Sequence, residues 1–162
     1  MMIYIGIDNG TTGTIGIAGD DIRGEIYHTP VKKEQDYTKA KKNVSRLDVG
    51  GFMEILNRYP HGNIRVVCER PMINPGRWTA SMTAIRCWEA QLVTLEVLGL
   101  PHIFVDSREW QRQMLPKGIQ GASELKKASK DIGLRLFPYL SDFRHTDFDG
   151  LLIAEYARRN RL

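Results

Sequence analysis

The chain has 162 residues, 42% of them hydrophobic and 26% charged, the balance of a soluble globular domain long enough to bury a core. No apolar run approaches the roughly 20 residues of a bilayer span, which excludes a membrane-crossing helix and leaves no membrane role expected. Lys and Arg number 23 against 19 Asp and Glu, and the resulting net charge of +4 favours a polyanionic partner.

The opening MMIYIGID lacks the basic region, apolar stretch and cleavage site of a secretory leader, so a cytoplasmic protein of a bacterium or phage-infected host is expected, with an organelle as the alternative. Residues 3–7 (IYIGI) read as a strand, and Asn9-Gly10-Thr11-Thr12-Gly13 supplies turn chemistry. A second strand follows over 14–18 and a third over 22–27. Residues 31–46 have no apolar periodicity and read as a mobile loop, strongly basic through Lys32, Lys33, Lys39, Lys41, Lys42 and Arg46. A second basic cluster, Arg158, Arg159 and Arg161, closes the chain. Two separated clusters suggest more than one phosphate contact.

The spacing of Phe52, Ile55, Leu56 and Tyr59 predicts a helix over 48–59. Residues 64–68 form an apolar, β-branched strand suited to the middle of a sheet. After a turn-rich loop over 70–77, a long helix runs over 78–98 and closes at Gly99 and Pro101. Residues 102–105 are a fifth strand, and Ser107 is read as the cap of a short helix reaching Met114. Helices are expected over 123–137 and over 146–159, the last burying Leu151, Leu152 and Ile153. Strands joined by tight turns must be antiparallel, whereas the later strand–helix–strand units require parallel crossovers. A mixed sheet with helices on both faces satisfies both, and with no linker or repeat the whole of 1–162 reads as one domain. Cys68 and Cys87 fall in predicted core segments without metal-ligand spacing, as in a reducing compartment. Trp88 and Trp110 are assigned to the core as well.

Three acidic positions stand out. Asp8 ends the first strand before a glycine-flanked turn, Glu69 ends the fourth, and Asp147 and Asp149 open the last helix. Converging carboxylates repel unless a divalent cation holds them, and hard oxygen ligands suit Mg²⁺, with Mn²⁺ as a substitute. Residues at the first turn of a helix can equally be dipole or capping acids.

The ordered set Ile5-Gly-Ile-Asp-Asn-Gly, Cys68-Glu-Arg-Pro-Met, Val105-Asp-Ser-Arg-Glu-Trp-Gln, Glu124-Leu-Lys-Lys-Ala-Ser with Leu136-Phe-Pro, and Asp149-Gly-Leu-Leu-Ile-Ala-Glu-Tyr-Ala resembles the RuvC family of Holliday-junction resolvases, most of all its short phage and organellar-type members. The resemblance implies an RNase H-like fold, α/β with a five-stranded mixed sheet whose first three strands are antiparallel. It also implies a homodimer that nicks paired strands of four-way junctions or other branched DNA by a two-metal mechanism, with the 78–98 helix as the interface. Carried over by position, Asp8, Glu69 and Asp149 are metal ligands, and Lys126 is a lysine near the scissile phosphate; a solvated helix face shared with Lys127 and Lys130 is the alternative. The fourth ligand of the family falls on Thr146 or His145, neither an acid, so either Asp147, two residues before Asp149, or His145 takes that place. Arg70, Asn74 and Arg77 are candidates for phosphate or base contacts, and Met72 or Trp78 for an apolar wedge against unstacked bases. Lys39, Lys41 and Lys42 are candidates for DNA binding.

Competing readings are an enzyme of the same site acting on flaps or RNA–DNA hybrids, and a non-catalytic junction-binding domain. A further one comes from Ile7-Asp-Asn-Gly-Thr-Thr-Gly-Thr, which resembles the phosphate hairpin of sugar kinases and actin-like ATPases. Those enzymes clamp ATP between two such domains, and this chain has length for one.

Overall fold

In the first strand, residues of odd and even number go to opposite sides of a sheet, as a pleat requires. The computed structural model describes residues 2–162. It contains, in chain order, β1 (Ile3–Ile7), β2 (Thr14–Gly19), β3 (Glu25–His28), β4 (Val31–Gln35), β5 (Asn43–Leu47), α1 (Val49–Leu56), β6 (Ile64–Glu69), α2 (Trp78–Val97), β7 (His102–Val105), α3 (Ser107–Met114), α4 (Ala122–Leu136) and α5 (Asp149–Asn160). Five strands form one mixed sheet in the order β3-β2-β1-β6-β7, antiparallel through β3, β2 and β1 and parallel through β1, β6 and β7. The expected fold class is the one observed. Among the described residues no helix is long and apolar enough to cross a membrane.

Ile3, Ile5 and Ile7 of β1, Ile15 and Ile17 of β2 and Val66 of β6 pack under α1 and α2, against Phe52, Leu56 and Leu95. The opposite face carries Tyr4 and Val67, covered by Trp110 and Met114 of α3 and by Leu152, Ile153 and Tyr156 of α5. Where α5 crosses β1 and β2 the sheet presents Gly6 and Gly16. A Cβ added to Gly6 would lie 2.2 Å from the Gly150 carbonyl oxygen, and one added to Gly16 would lie 2.1 Å from the Leu151 Cα. Helix α5 therefore rests with its backbone directly on β1 and β2.

Four local expectations are corrected. Residues 31–46 are not a loop but the β4–β5 hairpin, paired from Val31↔Leu47 to Gln35↔Asn43. Apolar periodicity is missing because most of its side chains are exposed; the backbone ladder holds it, helped by Lys33 donating to Ser45 (2.8 Å) and Arg46 to Glu34 (2.8 Å). The third strand starts at Glu25 rather than Ile22, because the chain is still bending through Asp20, Asp21 and Ile22. Helix α3 is capped by Asp106, not Ser107: the Glu109 carboxylate accepts from the Asp106 N–H (2.8 Å), closing the first turn. Helix α5 begins at Asp149 rather than Thr146, because Phe148 leaves helical geometry to bury its ring against Gly133 of α4.

Gly16→Ala should destabilise the protein by about 3 kcal/mol, since its methyl group would meet helix backbone rather than a mobile side chain. Melting temperature should fall by roughly 2–4 °C per kcal/mol. Gly62→Ala, with nothing within 4 Å, is the control and should change stability by no more than about 0.5 kcal/mol. Thermal unfolding of the two variants side by side tests this.

Candidate metal centre and cleft

Asp8 follows β1 with even parity and so belongs to the α5 side of the sheet, its N–H donating to the Thr14 carbonyl (3.0 Å). Glu69 ends β6 two residues after Val67, on that same side. Strands β1 and β6 are parallel neighbours with Ile7 opposite Cys68, so the two acids leave adjacent strands at one edge. From the other direction, the Gly150 N–H donates to the buried Thr14 hydroxyl (2.9 Å), which pins the start of α5 against β2. Asp149 opens that helix, and Asp147 lies two residues earlier with its side chain buried. One carboxylate oxygen from each of Asp8, Asp147 and Asp149 lies within 4.8 Å of the other two. Glu69 is near enough to Asp8 for its charge to act on the Asp8 carboxyl.

Such crowding is costly without a counter-charge. Burial pushes the Asp8 carboxyl well above its ordinary range, and the charges of Glu69, Asp149 and Asp147 push it further. Burial likewise raises Asp149, to about 7, with Asp147 adding to the shift and a hydrogen bond from Ser129 opposing it. Glu69 is raised by burial, although hydrogen bonds from Asp8 and Trp110 restrain the shift. The donors are all hard carboxylate oxygens, the ligand type that Mg²⁺ takes. The set fits one or two divalent cations, and Asp8, Glu69, Asp147 and Asp149 are the residues that would hold them.

Several neighbours orient the acids. The Lys126 ammonium of α4 donates to Asp147 (2.7 Å), so this lysine points into the site, while Lys130 holds the His145 carbonyl (2.8 Å). Burial alone would lower Lys126, but its pairing with Asp147 and the charges of Asp8 and Asp149 leave it raised. His145 is a latch in this arrangement. Its Nε2 lies 3.0 Å from the Thr12 carbonyl oxygen, and its Nδ1 lies 3.1 Å from the Asp147 carbonyl oxygen and 3.3 Å from the Asp147 N–H. Both ring nitrogens are thereby engaged by backbone, and it is Asp147 that joins the cluster.

Ser129 and Thr14 had no assigned role in the sequence, and Trp110 only a core one. Ser129 accepts the Phe148 N–H (3.1 Å) and hydrogen-bonds Asp149. Trp110 is fully buried and also donates to Glu69 (3.4 Å). Trp88 is only partly buried, against the expected core position. A motif of the form Val-Asp-Ser-Arg-Glu-Trp-Gln signals Trp110 by type, but nothing in it announces a carboxylate partner 41 positions away.

Asp8, Glu69 and Asp149 line a cleft of about 550 Å³, with Arg70, Arg77 and Arg108 among its other lining residues; Asp147 is buried behind it. Arg70 is paired with Asp106 (3.0 Å), and the Asn74 side chain caps the turn before α2 by accepting from Gly76 (2.9 Å). Met72 and Trp78 are exposed, Met72 lining the cleft and Trp78 opening α2. Lys39, Lys41 and Lys42 lie on the β4–β5 hairpin and line no part of this cleft.

Compared as a three-dimensional object, the chain is similar to Thermus thermophilus RuvC in complex with a Holliday junction substrate, with a TM-score of 0.63 and 17% identity over 98% of this chain and 96% of that one. It is similar also to a second Thermus thermophilus RuvC structure, with a TM-score of 0.57 and 21% identity over 99% and 97% of the two chains. The chain has the RNase H-like fold of RuvC. Neither a family model nor a curated protein matches it by sequence.

The raised Asp149 carboxyl carries a pH signature. Its unfolded value is about 3.9 and its folded value about 7, so between them the folded state binds more protons and metal-free stability falls as pH rises. Chelator-treated protein should therefore melt higher near about pH 5 than near about pH 8. Mg²⁺ should raise the melting temperature more at the higher pH, and Asp149→Asn should shrink both differences. A metal-free melting temperature that climbs across this window, with no change in Asp149→Asn, would contradict the assignment.

Proposed function

We propose that this protein is a divalent-metal-dependent endonuclease acting on branched DNA, four-way junctions foremost, as a single nuclease domain that pairs with a second copy. The observation that supports it is the cluster of Asp8, Asp147 and Asp149, within 4.8 Å, of which Asp8 and Asp149 line a cleft shared with Arg70, Arg77 and Arg108. Bound there, Mg²⁺ or Mn²⁺ would activate water and stabilise the leaving 3′ oxygen of a phosphodiester. Asp8, Glu69, Asp147 and Asp149 would supply the ligands. Lys126, already aimed at Asp147, would balance charge at the scissile phosphate, and Arg70, Arg77 and Arg108 would hold flanking phosphates at the rim. His145, Ser129 and Trp110 would position ligands rather than bind the ion.

Labelled four-way junction, flap, RNA–DNA hybrid and linear duplex, each with and without Mg²⁺, test the reading. Magnesium-dependent cleavage should favour the junction; preference for the flap or hybrid would move the substrate class and keep the chemistry. Asp8→Asn, Glu69→Gln, Asp147→Asn and Asp149→Asn should each cost far more than the roughly 10–100-fold that loss of a positioning partner costs, while junction binding persists. His145→Ala should fall within that smaller range. If His145→Ala is as inactive as Asp147→Asn, the ligand assignment is wrong.

The pairing expectation rests on α2. Ile85, Val93 and Val97 expose an apolar stripe that, with Met53 of α1, lines a groove of about 560 Å³. A second copy seated there would remove the stripe from water. Val93→Glu with Val97→Glu should give a monomer in light scattering with the melting temperature little changed. A wild-type monomer at all concentrations would remove the dimer from the proposal.

A further inference from the structure

The β4–β5 hairpin stands outside the carboxylate site, and its construction is unusual for a surface ribbon. At its base Glu34 neutralises Lys32 (3.4 Å) and Arg46 (2.8 Å), whereas Lys39, Lys41 and Lys42 at the tip have no ion-pair partner among the described residues. The one acid at the tip, Asp36, is occupied in shaping it: its Oδ1 accepts from the Thr38 N–H (3.2 Å) and hydroxyl (2.7 Å). Lys41 N–H donates to the Thr38 carbonyl (3.0 Å), and Asp36 N–H to the Lys42 carbonyl (2.8 Å). This ordered turn holds Tyr37 fully in solvent, at 106% relative exposure, more exposed than Met72, Val97 or Trp78.

A two-stranded ribbon is marginally stable in water, so its footing matters. Thr29 N–H donates to the Gly13 carbonyl (3.1 Å) before the hairpin, and Asp48 N–H to the Pro30 carbonyl (2.9 Å) after it. Leu47 is buried in the core. Strand β3 ends with His28 opposite Thr14, the residue whose carbonyl also binds Asp8 N–H. The arm therefore springs from the sheet edge that bears the metal ligands, and its paired strands of five residues carry the tip out by about 17 Å.

We propose that this hairpin is a probing arm whose Tyr37 stacks on an unpaired base at the branch point while Lys39, Lys41 and Lys42 hold the adjoining phosphates. The proposal deepens the branched-DNA reading above and rests on it. An aromatic ring among unpaired lysines matches single-stranded nucleic acid, where base–aromatic stacking adds to phosphate attraction and tolerates any base. Within intact duplex the bases are already stacked, so Tyr37 contributes nothing there and the lysines contribute equally to both. Charge sets affinity, and the ring sets selectivity for branched over linear DNA.

The test uses the full chain carrying Asp8→Asn to suppress cleavage, with binding to a four-way junction and a linear duplex of matched sequence measured at several salt concentrations. Tyr37→Ala should weaken junction binding about 10–100-fold, leave duplex binding within about twofold and leave the salt slope unchanged. Tyr37→Phe should restore junction binding, because stacking needs the ring and not the hydroxyl. Replacing Lys39, Lys41 and Lys42 with Ala should weaken both substrates and flatten the slope by up to about 0.9 per lost phosphate contact. Wild-type protein without preference for the junction would overturn the branched-DNA reading itself. A wild-type preference that survives Tyr37→Ala, or is lost equally in Tyr37→Phe, would overturn the arm alone and leave the tip to a protein partner.

Discussion

Helix α5 lies backbone-on-backbone against β1 and β2, and the carboxylate cluster depends on that contact. Gly6, Gly16 and Gly150 remove every side chain that would hold the helix off the sheet. Thr14 then joins the two halves of the site, its carbonyl accepting from Asp8 and its hydroxyl from Gly150. A side chain at this seam would lift Asp149 out of reach of Asp8, whatever the quality of the core on the other face. The isoleucine-rich face under α1 and α2 gives the sheet its burial; the glycine face gives the acids their proximity.

The electrostatic design follows from that proximity. Four carboxylates brought together are mutually destabilising where burial raises Asp8, Glu69 and Asp149, and the structure sets against this Lys126 and hydrogen-bond donors to Glu69, Asp147 and Asp149. Ser129 stands behind Asp149, Trp110 behind Glu69, and the backbone N–H groups at the start of α5 beside Asp147 and Thr14. These groups fix orientation without neutralising charge, which leaves the acids in need of a cation.

Much of this could be read in the sequence. Alternation in Ile3-Tyr-Ile-Gly-Ile announced the first strand, and turn chemistry announced the meander, so the antiparallel half of the sheet was legible from local signals. The acids at strand tips were visible too, but whether the strands bearing Asp8 and Glu69 were neighbours depended on parallel crossovers that no local pattern encodes. The hairpin over 31–47 was illegible for a different reason. Its first strand is largely exposed and its second buries fully only Leu47, so there was no periodicity to find, only a lysine-rich stretch that looks the same whether it is paired or free. Asp147 and His145 could not be ranked by spacing, because the chain at Phe148 departs from the helical geometry that spacing assumes.

The seam between α5 and the first two strands also has a consequence for how the protein is made. Asp8 is synthesised before Asp147 and Asp149, with every element from β2 to α4 in between. Chains emerge from their N-terminus at a finite rate, so the early strands wait with a bare glycine face until the final helix arrives to cover it. A chain stopped before the α5 region has Asp8 and Glu69 without Asp147 and Asp149. The carboxylate cluster thus closes only once α5 has been made.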